Sequence, residues 1–226
     1  MKTITIFIIA VVAIVAILLV FGYYSNKKRV STFTTWSAQN GWTYTEKDSK
    51  YEYMPWGFPF DVGHGRQATD VLTSTQGNYP ALCFTYRYQT TSTTSNGSGG
   101  TTTTEESHYF AIFSLHLPKS FPTLRVGKEG VFSKLARMVG MHDVEFESED
   151  FNRKFKVKAD DRKFASDAIN PQMMQYLLSE DAPGFNIVGS DLVLWQRGRL
   201  KLDDVQPRMA YLQAVLTKLP NFLWQG

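Results

Sequence analysis

Cysteine is nearly absent: Cys83 is the one thiol in 226 residues. That excludes an intramolecular disulfide and a cysteine zinc cluster. Histidine is sparse as well. His64, His108, His116 and His142 are scattered, without the H-E-x-x-H spacing that sets two imidazoles on one helix face, so no metal site is expected. No G-x-S-x-G seats a nucleophilic serine. Cys83 lies in an alternating strand pattern, where a free cysteine behaves as a small buried hydrophobe; catalysis there would need His108 or His116 beside it in space. An excess of one charge is also missing. Lys and Arg number 24 against 21 Asp and Glu, a formal net charge of +3, so nucleic acid is not an expected partner. Gly63-His64-Gly65-Arg66-Gln67-Ala68 matches a loose dinucleotide fingerprint, but it opens a strand rather than a helix, and no acidic residue stands at the ribose position. A turn between strands accounts for those glycines. No cofactor is expected.

What is present begins at the amino terminus. No charge falls between Thr3 and Asn26, and Ile4–Gly22 is almost continuously apolar. As a helix that run is about 28 Å long, close to the thickness of a bilayer's hydrocarbon core. It is longer than the apolar core of a cleaved signal peptide, and no small-residue cleavage site follows it. Tyr23 and Tyr24 stand where an interfacial aromatic belt would lie, and Lys27, Lys28 and Arg29 come next. The basic excess after the span favours a cytoplasmic domain, and lone free cysteine fits a reducing compartment. Residues 1–26 therefore read as a transmembrane anchor.

Residues 27–41 read as a separate short juxtamembrane helix, stopped at Gly41. Residues 42–226 read as one α+β domain, a largely antiparallel sheet with packed helices. Thr69–Thr75, Ala81–Tyr88 and Tyr109–Leu117 have strand character. On the last, Phe110, Ile112, Ser114 and His116 occupy one face, and Tyr109, Ala111, Phe113, Leu115 and Leu117 the other. Residues 90–104, apolar-free, read as a mobile hairpin tip. Gly130–Val139 reads as a short helix. The alternating acids of 143–149 and bases of 154–158 predict a hairpin pairing Glu149 with Lys154, Glu147 with Lys156 and Glu145 with Lys158. Asp160 or Asp161 is placed to cap a helix from Arg162, and Asn170-Pro171 to start another. Phe185–Val188 and Leu192–Gln196 read as a hairpin across Gly189. Asp204–Leu219 carries a helical stripe capped by Asp204 and ended by Pro220.

Two aromatic segments have double readings. Tyr51–Phe60 is broken by prolines and a glycine. It either packs beneath the sheet or presents Trp56 and Phe58 to a membrane partner or the bilayer interface. The tail Phe222-Leu223-Trp224 carries the same choice. The candidate contact residues are thus Tyr23, Tyr24, Lys27, Lys28, Arg29, Trp56, Phe58, Phe222 and Trp224. The bases Arg153, Lys154, Lys156, Lys158, Arg162 and Lys163 read first as a paired, solvated face and second as a surface for anionic lipid headgroups.

Glu147-Ser148-Glu149-Asp150-Phe151-Asn152-Arg153-Lys154-Phe155-Lys156-Val157, followed by Asp161, Phe164-Ala165, Asn170-Pro171-Gln172-Met173-Met174 and Leu177-Leu178, resembles a group of bacterial, especially actinobacterial, membrane-anchored proteins. Their shared signature is E-S-x-x-F-N-R-x-F-x-V. The resemblance implies a bacterial membrane protein and carries over no catalytic residue.

The anchor, the aromatic-rich domain and the lack of a catalytic set together predict a non-catalytic accessory or scaffold subunit of a larger integral membrane complex, an energy-converting one being a reasonable partner. The alternatives are a membrane-tethered sensor that binds a small molecule or lipid, and an enzyme of unfamiliar type.

Overall fold

The computed structural model describes residues 2–95, 100–128, 140–179 and 182–225. Lys2–Asn40 is one uninterrupted helix, α1. It is about 58 Å long at 1.5 Å per residue. The predicted break between anchor and juxtamembrane helix does not exist. Tyr23 to Asn40 contains neither glycine nor proline to interrupt the backbone ladder. Gly41, at φ 72°, takes the left-handed turn that ends the helix. Trp42 N–H then closes onto the Ser37 carbonyl at 2.9 Å. α1 is long and apolar enough to cross a membrane. Its side chains from Val11 to Phe21 are exposed, Leu19 by 69%. So broad an apolar surface is stable in lipid and not in water.

Seven strands among the described residues make one antiparallel sheet: β1 Thr43–Lys47, β2 His64–Gln76, β3 Tyr79–Ser95, β4 Thr101–Lys128, β5 His142–Val144, β6 Phe155–Ala159 and β7 Phe185–Arg197. The order is β1-β2-β3-β4-β6-β5, and β7 pairs with β4. β4 organises the rest. One of its edges takes β3 along residues 101–115 and then β6 along 124–128; the other takes β7 from Phe110 to Val126. The helices are α2 Glu149–Lys154, α3 Arg162–Ala168, α4 Pro171–Ser179 and α5 Leu202–Lys218.

Alternation along β4 sends its side chains into two separate cores. Ala111, Phe113, Leu115 and Leu117 join the larger core, with Phe33 of α1, Phe164 of α3, Met173 and Leu177 of α4, and Val205, Met209, Leu212 and Val215 of α5. Phe110 and Ile112 join the smaller core on the other face. There Trp56, Phe58 and Phe60 cover Phe84, Tyr86 and Val193. The aromatic segment is thus a lid of packed rings on the second face: Phe60 lies 4.2 Å from Tyr86, centroid to centroid, and Phe58 lies 5.1 Å from Trp195.

Several expectations are corrected. Residues 90–95 and 101–104 are ladder, not a loose tip, with Thr90 opposite Glu106 and Ser95 opposite Thr101. β-branched threonine favours extended backbone even where nothing is buried. Glu149–Lys154 is a helix, not half of a hairpin. Ser148 Oγ accepts from Phe151 N–H at its start, its acids lie in the first turn and its bases in the last, as the helix dipole prefers. Asn152 then ties the preceding loop, bonding both the N–H and the carbonyl of Phe146 at 3.0 and 2.6 Å. Lys158 faces Asp143 at 2.7 Å, not Glu145. Phe185–Arg197 is one strand, with Gly189 opposite Phe121 where the β4 register shifts. α5 starts at Leu202, and Asp204 is in its first turn, accepting from Gln196 Nε2 at 2.8 Å rather than capping. The caps at Asp161 and Asn170 are present as read, accepting from Phe164 N–H at 3.0 Å and Met173 N–H at 2.9 Å. The helix expected over 130–139 lies outside the described residues.

Candidate functional site

Where α1 leaves the apolar run, it meets β1 and β2. Phe33 is buried there against Tyr44, ring centroids 5.5 Å apart. The polar part of the junction centres on Asp70, 2% exposed and at φ 53°. Aspartate is one of the few non-glycine residues that tolerate this left-handed region. It sits in a β-bulge between Thr69 and Leu72, which turns its carboxylate off the ladder. Arg29 of α1 donates to that carboxylate, and the Tyr44 hydroxyl donates to the same oxygen at 3.1 Å. Arg29 also donates to Asn26 Oδ1 at 2.7 Å and lies 3.5 Å from Glu46. Asn26 in turn donates to Glu46 at 3.0 Å. Burial, then the Asp70 charge, pushes the Tyr44 phenol well above its ordinary range. A buried carboxylate held by arginine and a neutral tyrosine is a clamp, and it fixes the helix to the sheet.

The structure divides the predicted contact residues. Tyr23 and Tyr24 are each 65% exposed, with their rings edge to face at 5.7 Å. Lys27 and Lys28 are exposed on the same stretch of helix. These four remain accessible at the surface. Arg29 is engaged: its guanidinium belongs to the clamp. Trp56 and Phe58 are buried, which removes them as contact residues. Phe222 is exposed, whereas Leu223 and Trp224 are half-buried against the larger core.

A second polar constellation pins the aromatic lid. Asp191 of β7 accepts from the Trp56 indole at 3.0 Å and pairs with His116 Nδ1 at 2.9 Å. Arg125, also buried, donates to the Trp56 carbonyl at 2.9 Å. Gly57 is at φ 72°, the left-handed region that favours glycine, and a Cβ there would push against the Arg125 guanidinium. Cys83 faces the larger core, and burial pushes its thiol well up. His108 and His116 lie on β4 positions of opposite parity to Phe113, the cross-strand partner of Cys83, so no Cys–His pair forms. The described residues hold no cluster of three or more His, Cys, Asp or Glu able to bind a metal ion.

A groove of about 510 Å³ opens between the β2–β3 turn and the end of α5. Gln76, Gly77, Tyr79, Gln213, Leu216, Thr217, Leu219, Asn221 and Trp224 line it. Sequence reading found neither the groove nor Asp70. An aspartate within the strand pattern Ala68-Thr69-Asp70-Val71 was the available signal for the latter.

A long apolar helix clamped to a seven-stranded antiparallel domain defines the class: an α+β protein with one candidate membrane anchor. Within that class, the fold is similar to the crystal structure of the mycobacterial trehalose monomycolate transport factor A, TtfA. The TM-score is 0.56 at 12% identity, over 83% of this chain and 94% of that one. No protein-family model matches the chain, and no curated protein matches its sequence.

Proposed function

We propose that the protein is a non-catalytic accessory subunit of an integral membrane assembly with a transport-associated task, anchored in a bacterial membrane by α1 with its domain in the cytoplasm. The clamp of Arg29, Asp70 and Tyr44 carries this reading. A simple tether needs only a flexible linker. Here the span continues without a break into the domain, and a half-buried ion pair locks the two, so their mutual orientation is kept. That is what an element must do to pack its helix against one partner surface while its domain meets another. The fold likeness to a protein named as a transport factor supports the same reading. Tyr23, Tyr24, Lys27 and Lys28 would hold the helix at the interface, through aromatic packing and attraction to anionic headgroups. The resemblance in residues 147–178 points to a bacterial, actinobacterial-type host. No residue favours an energy-converting partner over any other.

The test is native mass and composition after mild-detergent extraction from the protein's own membrane. The expected result is a large assembly with fixed stoichiometry, lost when the span is exchanged for an unrelated apolar helix. A detergent-bound monomer or homo-oligomer would overturn the proposal.

A further inference from the structure

We propose that the groove between the β2–β3 turn and the end of α5 binds an uncharged saccharide. Its size, about 510 Å³, is that of a small-ligand site. Its chemistry is selective. No charged side chain lines it, although the chain is one-fifth charged. The neighbouring cations are engaged elsewhere: Lys119 donates to the Leu223 carbonyl at 3.1 Å, and Lys218 lies 4.1 Å over the Tyr176 ring. The lining offers instead three amides, a threonine hydroxyl, a tyrosine and a tryptophan.

These polar groups are largely unspent. Gln76 reaches only Ser74 Oγ, at 3.5 Å. Thr217 donates to Ala214 at 2.8 Å and keeps its acceptor lone pairs. Tyr79, Gln213, Asn221 and Trp224 make no side-chain hydrogen bond among the described residues. Each amide offers a donor and an acceptor side by side. A sugar needs that combination, because every hydroxyl both gives and accepts a proton. Its C–H faces need flat apolar surfaces, and Tyr79 and Trp224 supply rings. Trp224 is held in place by Phe121, edge-on at 5.2 Å. Buried Leu216 and Leu219 make the apolar part of the lining. An anion would find no cation here, and a wholly apolar ligand would strand the amides.

Position selects the source. Ser74 Oγ donates to the Gly41 carbonyl at 2.8 Å, so this turn lies at the end of the domain where α1 stops. From Tyr24 to Asn40 the helix rises about 24 Å. The occupant therefore comes from water and not from a headgroup in the adjacent leaflet.

The test uses the full chain in phosphatidylcholine nanodiscs. Tryptophan fluorescence is titrated with maltose, sucrose and cellobiose, then with glucose 6-phosphate, and in a separate arm with a maltosyl-headgroup lipid placed in the disc. At least one free neutral disaccharide should give a saturable change, weakened roughly tenfold by Gln213→Ala or Asn221→Ala, about one hydrogen bond's worth. Both residues lie outside the buried core, so the variants fold. Three results would overturn the proposal: no saturable response to any of the three sugars, responses unchanged in both variants, or a stronger response to the phosphorylated sugar. A response only to the embedded lipid would overturn the assignment to a water-borne ligand. The titration is independent of the accessory role, since a chain that co-purifies with nothing can still bind sugar, and the reverse.

Discussion

Arg29 of the long helix and Asp70 of the second strand form an ion pair across 41 residues of sequence, with the carboxylate buried and the guanidinium about one-third exposed. Removing either partner has unequal consequences. Arg29→Ala strands a buried carboxylate with only the Tyr44 hydroxyl left to it. A loss of about 2–3 kcal/mol is expected, below the full cost of breaking a buried pair because the guanidinium is partly solvated. Asp70→Asn keeps a side chain that tolerates the left-handed backbone but removes the charge, and should cost less. Denaturant unfolding of the detergent-solubilised chain ranks the two. Spin labels on the exposed faces of α1 and β4 should show a single narrow distance distribution in the parent and a broadened one in Arg29→Ala. An unchanged distribution would mean that the apolar contact at Phe33 alone fixes the helix.

Trp56 should behave as a core residue. Trp56→Ala removes the largest ring of the lid and the Asp191 donor together, and is expected to cost about 3–5 kcal/mol. Trp56→Phe keeps most of the volume and loses one hydrogen bond, at about 1–2 kcal/mol. Neither change should alter the fraction of protein recovered with the membrane, whereas Phe222→Ala should leave the melting temperature in place. Loss of membrane recovery in Trp56→Phe would return this residue to the contact surface.

Alkaline pH should act through buried phenols. Burial is the main cause holding the Tyr86 hydroxyl above its ordinary range, and that buried hydroxyl has no hydrogen-bond partner. In the unfolded chain tyrosine ionises at about pH 10. The folded protein resists ionisation, so stability is fully present below about pH 10 and falls as the pH rises toward the higher folded value. Tyr86→Phe should be neutral or more stable by about 1 kcal/mol near neutrality. It should also lose stability less steeply at high pH. Unfolding midpoints measured from about pH 8 to 11 check both. Tyr44 and Tyr211 share the shift and will leave some slope.

Local signals in the sequence translated well. The two faces of Tyr109–Leu117 became two cores because strand alternation needs no knowledge of partners. The caps at Asp161 and Asn170 act within three residues of themselves. Non-local features were not legible. The acids and bases of residues 143–158 fit an antiparallel hairpin and a capped helix almost equally well, and Ser148 at the cap decided for the helix. That left Asp143 as the ion-pair partner of Lys158. The burial of Trp56 and Phe58 involves distant partners: Asp191, 135 residues from Trp56, takes its indole N–H, and Phe110 and Trp195 pack on Phe58. Arg29 looked like one more interfacial base, because nothing near it in sequence announces a buried carboxylate. The groove is hidden for the same reason: its lining comes from residues 76–79 and 213–224, and each part alone is ordinary surface.

The double service of β4 bears on how the chain is made. Synthesis delivers the anchor first, then β3 and β4 as a hairpin, while β7 follows only after residue 185. At about 5–20 residues per second, β4 waits roughly 3–12 s with one edge unpaired and most of the larger core still to come, whereas the smaller core lacks only Val193 among its buried residues. During that interval a nascent chain already held at a membrane presents an open strand edge to its neighbours. Production of this protein should therefore be limited by crowding at the membrane during translation more than by the stability of the finished fold.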